Sequence, residues 1–407
     1  MSTMTAAELA GWSERRRRDD LRGLGPDPED DAAMTDRWAR AVWSLLAEPG
    51  DRTACALIEA VGAMEALLVV AEKDPGSALE TPGAVGDGLR RWRPRLRRGG
   101  IEAMFHTARS AGVSIHVPGD PAWPMRVDDL GDHAPVCLWA RGSMRMAAAD
   151  GPAVALIGAR ASTAYGERIV IDMAAELVGA GVRIVSGAAH GIDGAAHRAA
   201  LAGGGVTLAV LAGGLDRPYP TGHRDLIARI AATGTVLSEI PPGGAPTKWR
   251  FLARNRTIAA LADAVIVVEA GWRSGSLNTA GHAATLGRPL GAVPGPVTSG
   301  ASAGCHRLLR EYDAVCVTGA DDVLSLMGGA ASVRRAVGPA TDDSTRVLDA
   351  LSTRADRSVD DVARRAGLAP ADCGAILALL ELEGVAGRGA AGWRRAAAVP
   401  ARGGAHS

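Results

Sequence analysis

The stretch that decides the fold runs from residue 154 to residue 187 and reads VALIGARASTAYGERIVIDMAAELVGAGVRIVSG. It begins with the apolar run Val154–Ile157, continues through an amphipathic helical segment and ends with a second run, Val182–Val185. A run that is apolar on both faces is typical of a parallel strand covered on both sides, because an exposed face would carry alternating polar residues. The stretch therefore predicts a strand, a helix and a second, parallel strand.

Further apolar runs of strand length follow, most of them separated by helical patterns: Val206–Leu211, Thr235–Leu237, Ala264–Val268, Pro289–Val293 and Ala314–Val317. Such alternation predicts an α/β domain with a doubly wound parallel sheet over residues 111–328. Ligands of these sheets bind beyond the carboxyl ends of the strands. We therefore look for functional residues just after each run.

Two smaller parts flank the sheet. Apolar residues at helical spacing over residues 36–110 predict an N-terminal helical module, which we interpret as SAM-like. A Gly/Ala-rich segment at 329–343 predicts a linker.

Residues 344–397 predict a winged helix-turn-helix domain, from three helical patterns and a β wing at Ser344–Ser352, Ser358–Arg365, Ala369–Glu383 and Gly384–Trp393. Ser358 precedes two acids, as a helix N-cap should. The third helix is acidic at Asp372, Glu381 and Glu383, which is a poor match to DNA phosphates. A protein-contact role for this domain is at least as well supported.

The charge balance limits the function classes. The 407 residues include 45 basic and 45 acidic side chains and are 47% hydrophobic. This excludes a highly charged disordered chain and removes any whole-molecule attraction to a polyanion. The 45 cations comprise 43 arginines and two lysines, Lys73 and Lys248. Arginine clusters are therefore weak evidence for function, whereas a lysine or one of the two phenylalanines is informative.

The stretch Arg90–Arg98 shows the problem, because six arginines surround Trp92 there. These arginines could bind successive phosphates of a nucleic acid while the Trp92 ring stacks on a base. The favoured alternative is a solvated helix face with Trp92 turned into the core.

The cellular compartment is predicted from the absence of secretory, membrane-spanning and disulfide-type sequence features. No apolar segment follows the basic start, so no secretory signal is visible, and the uncharged run Ala199–Leu215 contains five glycines, which disfavours a membrane span. The five cysteines lie far apart, without a Cys-x-x-Cys pair. We expect a reduced, cytoplasmic protein with no membrane association.

Small residues and polar groups follow the first two runs. Gly158 lets the backbone approach a ligand, and Arg160 can bind it with two parallel hydrogen bonds, but no Gly-x-Gly-x-x-Gly is present, which disfavours a nicotinamide dehydrogenase. After the second run, the Ser186-Gly187 turn offers amides and a hydroxyl.

Asp193 and His197 lie four residues apart, with His190 nearby, and could form a metal site. We expect instead that Asp193 caps the helix N-terminus and that His197 bonds to it, with no metal bound.

Two further segments complete the candidates. Ser274-Gly275-Ser276 opens a helix after the fifth run and can present free N–H groups to an anion. The segment KWRFLARNR, residues 248–256, holds four cations without an acid, together with a tryptophan and Phe251. Cations interleaved with rings suit single-stranded DNA, because charges hold phosphates and rings stack on unpaired bases. The alternative is a solvated loop leading into a helix.

Several ordered blocks carry a family resemblance: Gly158-x-Arg160, Tyr165-Gly166, Ser186-Gly187, Gly191-Ile192-Asp193-x-x-Ala196-His197, Gly214-Leu215-Asp216, Tyr219-Pro220, Ser238-Glu239, Phe251, Arg254-Asn255-Arg256-x-Ile258-Ala259, Ser274-Gly275-Ser276-Leu277 and Val293-Pro294-Gly295. Over Trp123–Leu324 the chain resembles the DprA/Smf family of DNA-processing proteins. The resemblance implies an extended Rossmann-like domain that binds single-stranded DNA, forms a homodimer and helps load the RecA recombinase during transformation. It implies no catalytic residue and no cofactor.

Carried over by position, the DNA contacts are Arg160, Lys248 and Phe251. The residues that would frame the pocket are Gly158, Ser186, Gly187, Arg254, Asn255, Arg256, Ser274, Gly275 and Ser276. Leu252 stands where the family usually has proline, and His223 where asparagine is common, so the loop shape differs more than the charge.

Two rival functions remain open. One is a nucleotide-processing enzyme similar to the lysine-decarboxylase-like phosphoribohydrolases, with Glu239 or Glu269 as the catalytic acid, although the Pro-Gly-Gly-x-Gly-Thr-x-x-Glu string of that family is absent. The other is a winged-helix transcription regulator, which the acidic third helix disfavours.

Overall fold

The computed structural model describes residues 3–27, 29–72, 83–328, 343–382 and 384–396. The chain divides into two compact units, Met1–Ala331 and Ser332–Ser407. The boundary at residue 110 between a helical module and the sheet stays a prediction. The linker predicted at 329–343 lies outside the described residues apart from Asp343.

The described part of the first unit begins with helices α1 (Ala6–Ala10), α2 (Glu14–Leu21), α3 (Asp31–Leu46), α4 (Arg52–Val61), α5 (Ala63–Ala71), α6 (Ala84–Trp92) and α7 (Arg98–Ser110). Acidic caps start two of them: Asp30 accepts from the Ala33 amide at 2.7 Å, and Asp51 from the Thr53 amide at 3.2 Å. Two aromatic pairs fill the core between these helices, with ring centroids 5.4 Å apart for Trp12 and Trp38 and 5.1 Å apart for Trp43 and Trp92. Helices α1 and α2 precede residue 36, so helical structure starts earlier than predicted.

A nine-stranded sheet follows, made of β1 (Ser114–His116), β2 (Leu138–Gly142), β3 (Ala153–Gly158), β4 (Arg183–Ser186), β5 (Thr207–Leu211), β6 (Thr235–Ser238), β7 (Ala264–Glu269), β8 (Leu290–Ala292) and β9 (Val315–Cys316). Its order is β1-β2-β6-β5-β4-β3-β7-β8-β9. Strands β3 to β9 pair in parallel, and β1 and β2 form an antiparallel edge. Each of the seven predicted runs is a strand, while the two antiparallel edge strands were not predicted.

Helices cover both faces of this sheet: α8 (Met144–Ala148), α9 (Ala164–Gly179), α10 (Ile192–Ala202), α11 (Arg224–Thr233), α12 (Lys248–Ala260), α13 (Ser276–Thr285), α14 (Ala303–Glu311) and α15 (Ala320–Leu326). Val154 and Leu156 pack against α9 and α10, whereas Ala155 and Ile157 face the core shared with α12, α13 and α14. Alternate residues of one strand therefore enter different cores. The doubly wound, Rossmann-like prediction is confirmed.

The second unit contains α16 (Asp343–Ala350), α17 (Val359–Ala366), α18 (Pro370–Leu382) and the hairpin β10 (Ala386–Gly389) and β11 (Gly392–Arg395). The Ser358 hydroxyl accepts from the Asp361 amide at 3.2 Å, as its predicted capping role requires. Gly367, with φ of 68°, ends α17 in the left-handed conformation that glycine adopts without strain. Val362, Leu377 and Trp393 share its core, and the winged-helix prediction is confirmed.

No single described helix is long and apolar enough to cross a membrane. By length and composition, the bent pair Arg52–Val61 and Ala63–Ala71, with an angle of 113° between its helices, is the one described candidate.

Candidate nucleic-acid interface

The sheet reverses its strand order beside β3, since β4, β5 and β6 lie on one side of it and β7, β8 and β9 on the other. At such a point the loops after neighbouring strands diverge and leave a crevice. A cavity of about 410 Å³ opens there, which we call the switch-point cavity. Its lining is Ile157, Gly158, Ala159, Arg160, Ala161, Ala189, Asp193, Phe251, Leu252, Arg254, Asn255, Ile258, Gly271, Arg273, Ser274, Gly275, Ser276 and Thr279.

Gly158, the last residue of β3, lies where a side chain would not fit. A Cβ there would be 2.6 Å from Cγ1 of Ile192 and 2.9 Å from the Glu269 carbonyl oxygen. Its own carbonyl accepts a 2.8 Å hydrogen bond from the Ser276 hydroxyl. The glycine therefore lets the two loops after β3 and β7 meet at the base of the cavity.

Helix α12 carries most of the predicted contacts, and it begins at Lys248 because the Thr247 hydroxyl accepts from the Arg250 amide at 3.3 Å. Lys248 is exposed and makes no ion pair within the described ranges. Phe251, Arg254 and Asn255 lie one turn apart and face the switch-point cavity. The segment predicted as charge interleaved with rings is thus helical.

Phe251 has a cation against its ring. The guanidinium carbon of Arg160 lies 4.7 Å from the ring centroid, and the Tyr219 ring meets it edge-on at 5.6 Å. Phe251 is partly buried, whereas Arg160 is exposed and forms no ion pair with described residues. This stack joins the loop after β3 to α12, and it presents both a charge and an aromatic surface to the cavity.

Arg254 forms part of the cavity floor. It is 6% exposed, and its Nη1 donates to the carbonyls of Gly187 at 2.9 Å and Val210 at 2.5 Å. Burial lowers the pKa of this guanidinium to about 10, an effect partly offset by the nearby Asp193 carboxylate. Arg254 stays charged at neutral pH and places a positive charge beneath any ligand.

The loop after β7 supplies hydroxyl and amide groups. The Ser274 hydroxyl accepts from the Ser276 amide at 3.3 Å and donates to the Ser276 hydroxyl at 3.1 Å, while Gly275 is exposed. Ser276 begins α13, so amide groups at the positive end of that helix border the cavity. This arrangement suits a phosphate.

Besides the exposed Lys248, three predicted residues do not line the cavity. Ser186 is buried and donates to the Leu156 carbonyl at 2.7 Å. The Gly187 carbonyl accepts a hydrogen bond from Nη1 of Arg254. Arg256 lies on another face of α12, where its Nη2 is 2.5 Å from Oε2 of Glu239. Any effect of these residues on a ligand would pass through their neighbours.

Arg273 was not selected from the sequence, yet it lines the cavity, is exposed and has no ion-pair partner in the described part of the chain. The signal was available, because this arginine lies in the glycine- and serine-rich loop after a strand. With Arg160 and Arg254 it gives the lining three cations against a single carboxylate, Asp193.

The arginine-rich stretch at 90–98 follows the alternative that we favoured. Trp92 is fully buried and its Nε1 donates to Asp51 at 3.0 Å. All six arginines have partners: Asp87 for Arg90, Asp51 for Arg91, the Val70 carbonyl for Arg93, Glu48 for Arg95, the Pro94 carbonyl for Arg97 and Glu102 for Arg98. Three of these partners, Asp51, Val70 and Glu48, lie in other parts of the helical region, so the stretch contributes to packing there.

The expected cap at Asp193 was wrong in its geometry. The N-cap of α10 is Gly191, and the Asp193 carboxylate instead accepts from the Gly187 amide at 3.1 Å. His197 pairs with the Thr207 hydroxyl at 2.7 Å. The described residues contain no cluster of metal-ligating side chains.

The two acids of the nucleotide-processing hypothesis have structural partners. Glu239 pairs with Arg256 and accepts from the Thr257 hydroxyl at 2.7 Å. Glu269 is 2% exposed and accepts from the Thr163 amide and hydroxyl at 2.8 and 2.7 Å. Neither carboxylate lines the switch-point cavity.

Comparison with known proteins decides the family. The family model described as DNA recombination-mediator protein A matches residues 114–328, more than half of the chain, and the DprA winged helix domain matches residues 332–392. The chain belongs to the DprA/Smf family. Membership gives this DprA/Smf protein a DNA-processing role in recombination.

Individual DprA/Smf relatives agree. A Mycobacterium tuberculosis protein assigned as DNA processing protein DprA is 42% identical over 87% of this chain and 93% of its own length. The solved DNA processing protein A of Streptococcus pneumoniae is 34% identical, with a TM-score of 0.58 over 70% of this chain and 95% of that chain. The Helicobacter pylori DNA processing protein A is described as binding single-stranded DNA; it is 33% identical over 52% of this chain and 94% of that chain, with a TM-score of 0.48.

Proposed function

We propose that this protein binds single-stranded DNA at the switch-point cavity, without chemistry of its own, and helps load the RecA recombinase on that strand. It would act in the cytoplasm as a homodimer. The proposal rests on one observation above all: Phe251 lies against the Arg160 guanidinium in a cavity whose lining carries three cations and one carboxylate.

The local charge supports a phosphate ligand. The chain as a whole is neutral, but Arg160, Arg273 and Lys248 lie exposed at or beside the cavity and form no ion pair with described residues. Counterion release from DNA makes such contacts favourable and dependent on salt. Arg254 adds a buried charge beneath them.

The partly enclosed ring supports a single strand over a duplex. A base can stack on Phe251 only when it is unpaired and free to turn away from its neighbours. In duplex DNA the base faces are covered, and only phosphates would reach the cavity mouth. Binding should therefore be stronger for the single strand.

Fluorescence anisotropy with a labelled oligonucleotide and with the same sequence as duplex tests the first half of the proposal. We expect a clear preference for the single strand, a steep loss of affinity with salt, and weaker binding by Lys248→Ala and Arg160→Ala. The control is Arg168→Ala, an exposed arginine on α9 that pairs with Asp172. Equal affinity for both forms of DNA, or an undiminished affinity in both variants, would refute the proposal.

A recombinase assay tests the second half. Single-stranded DNA is first coated with a single-strand-binding protein, and RecA ATPase activity is then followed with and without this protein. We expect faster RecA loading with wild type and none of this acceleration with Arg160→Ala. Binding without acceleration would leave a DNA-binding protein and remove the mediator role. Sedimentation at several concentrations tests the homodimer.

A further inference from the structure

Helix α12 borders a second cavity on another of its faces. Trp249, Leu252, Ala253 and Arg256, spaced three, four and seven residues from the first, line a cavity of about 530 Å³, which we call the Trp249 cavity. Phe251, together with Arg254 and Asn255 one turn later, lines the switch-point cavity instead. One helix thus forms a wall of both cavities.

The two cavities are adjacent. Leu252 lines both of them, and the Asn255 side-chain amide in the first donates to Oδ1 of Asn278 in the second at 3.2 Å. A helix with its side chains is about 10 Å across, which is short beside the roughly 4–16 nucleotides that a single-strand-binding OB fold covers. A strand held in one cavity can therefore reach the other.

The charges of the second cavity are compensated. Glu239 neutralises Arg256, and Arg288 pairs with the lining residue Asp129. Nδ1 of His133 donates to the Gly50 carbonyl at 2.9 Å, since a carbonyl can only accept. A mostly apolar wall with a few hydrogen-bonding groups suits a neutral planar ring better than a phosphate.

Trp249 provides the stacking surface. Its side chain is 62% exposed and, among the described residues, lies against no other ring or cation. An indole face presented to solvent beside an apolar cavity, one residue after Lys248, is the arrangement on which an unpaired base stacks.

We propose that the Trp249 cavity receives an unpaired base of the same DNA strand whose phosphate lies in the switch-point cavity. The inference rests on the proposed function and adds a second contact point to it. The first cavity would bind a phosphate beside the base-stacking ring of Phe251, and the second would receive a further base.

The experiment measures affinity for oligothymidylates of about 4 to about 16 nucleotides, the span of known single-strand site sizes. Trp249→Ala should bind the shortest strands as wild type does and lose roughly 5- to 100-fold for strands long enough to reach both cavities. Trp249→Phe, which keeps a ring, should recover most of that loss. Ile171→Ala, an exposed residue on α9, is the control for surface truncation.

A thermodynamic cycle identifies the occupant. One abasic residue is moved along a long oligonucleotide; at one position it should weaken wild-type binding and leave Trp249→Ala binding unchanged. If wild type binds no single strand, the proposed function fails. If wild type binds but Trp249→Ala matches it at every length, only the second contact fails. Abasic penalties that are equal in both proteins at every position would also refute base occupancy of the Trp249 cavity.

Discussion

The guanidinium carbon of Arg160 lies 4.7 Å from the centroid of the Phe251 ring, although the two residues are 91 positions apart in sequence. The first follows β3 and the second lies in the first turn of α12. Their stacking brings charge and aromatic surface together at the place where the strand order reverses.

Replacing Phe251 tests this stack directly. Phe251→Leu keeps an apolar side chain and removes the ring, so we expect roughly 5- to 100-fold weaker binding to single strands and little change for duplex. Combined with Arg160→Ala, the losses should be less than additive, because either change breaks the same contact. Strictly additive losses, measured by anisotropy, would show that ring and cation act independently.

Gly187 should tolerate no side chain. A Cβ there would lie 2.3 Å from Nη1 of Arg254 and 2.6 Å from its Cζ, so Gly187→Ala must displace a guanidinium that makes two charged hydrogen bonds. We expect a loss of about 3 kcal/mol or more in unfolding free energy, measured by urea denaturation. Gly100→Ala on α7 meets no atom within 4 Å, and it should be neutral or stabilising by about 0.5–1 kcal/mol. Similar changes in unfolding free energy in Gly187→Ala and Gly100→Ala would contradict the assignment of Arg254 as a buried anchor.

The buried pair of Arg256 and Glu239 predicts an asymmetry between interior and surface charges. Both side chains are under 10% exposed, at 6% and 8%. Glu239→Gln leaves the arginine buried without its counter-charge, and we expect a loss of about 3–5 kcal/mol. Asp31→Asn breaks the exposed pair with Arg18 and should cost about 1 kcal/mol or less. Thermal or urea unfolding distinguishes these outcomes, and equal losses would overturn the prediction.

The burial of His197 predicts that the folded protein loses stability in acid. Its ring is fully buried, and burial lowers its pKa from 6.5 to about 3. Between these values the unfolded chain binds a proton that the folded chain does not, so unfolding free energy falls as pH drops from 6.5 towards 3.

His197→Gln removes that titration. We expect the slope of unfolding free energy against pH to flatten by up to about 1.4 kcal/mol per pH unit in this window, as measured by urea midpoints. The same substitution at His116, whose pKa burial lowers to about 4, should act similarly. An unchanged slope in His197→Gln would mean that the histidine is not held neutral.

The sequence predicted the parallel sheet well, because strands β3 to β8 are buried on both faces and are mostly apolar. It missed the antiparallel strands β1 and β2, which read SIH and LWARG, because polar residues interrupt both of them and neither forms an apolar run. The winged-helix elements followed from local cap and turn signals such as Ser358.

The site was harder to predict, because a sequence shows where charges are but not which acid lies opposite. Of the four cations in the 248–256 segment, Arg250 pairs with Glu48 and Arg256 with Glu239. Arg254 is buried, and only Lys248 is exposed without an ion pair within the described ranges. The family blocks located the cavity, whereas the division of α12 into two faces required the side-chain positions.

Glu48, in the loop after α3, binds Arg250 through both carboxylate oxygens, at 2.8 and 3.0 Å, from 202 positions away. The same carboxylate also pairs with Arg95, so the amino-terminal region supplies a shared counter-charge to the helix that carries Lys248 and Phe251. A version trimmed to the sheet alone, or a sheet transplanted into a chimera, would release that arginine and become more cationic beside the cavity. Its affinity for any polyanion would then exceed that of the whole protein, and its preference for single-stranded over duplex DNA would be smaller.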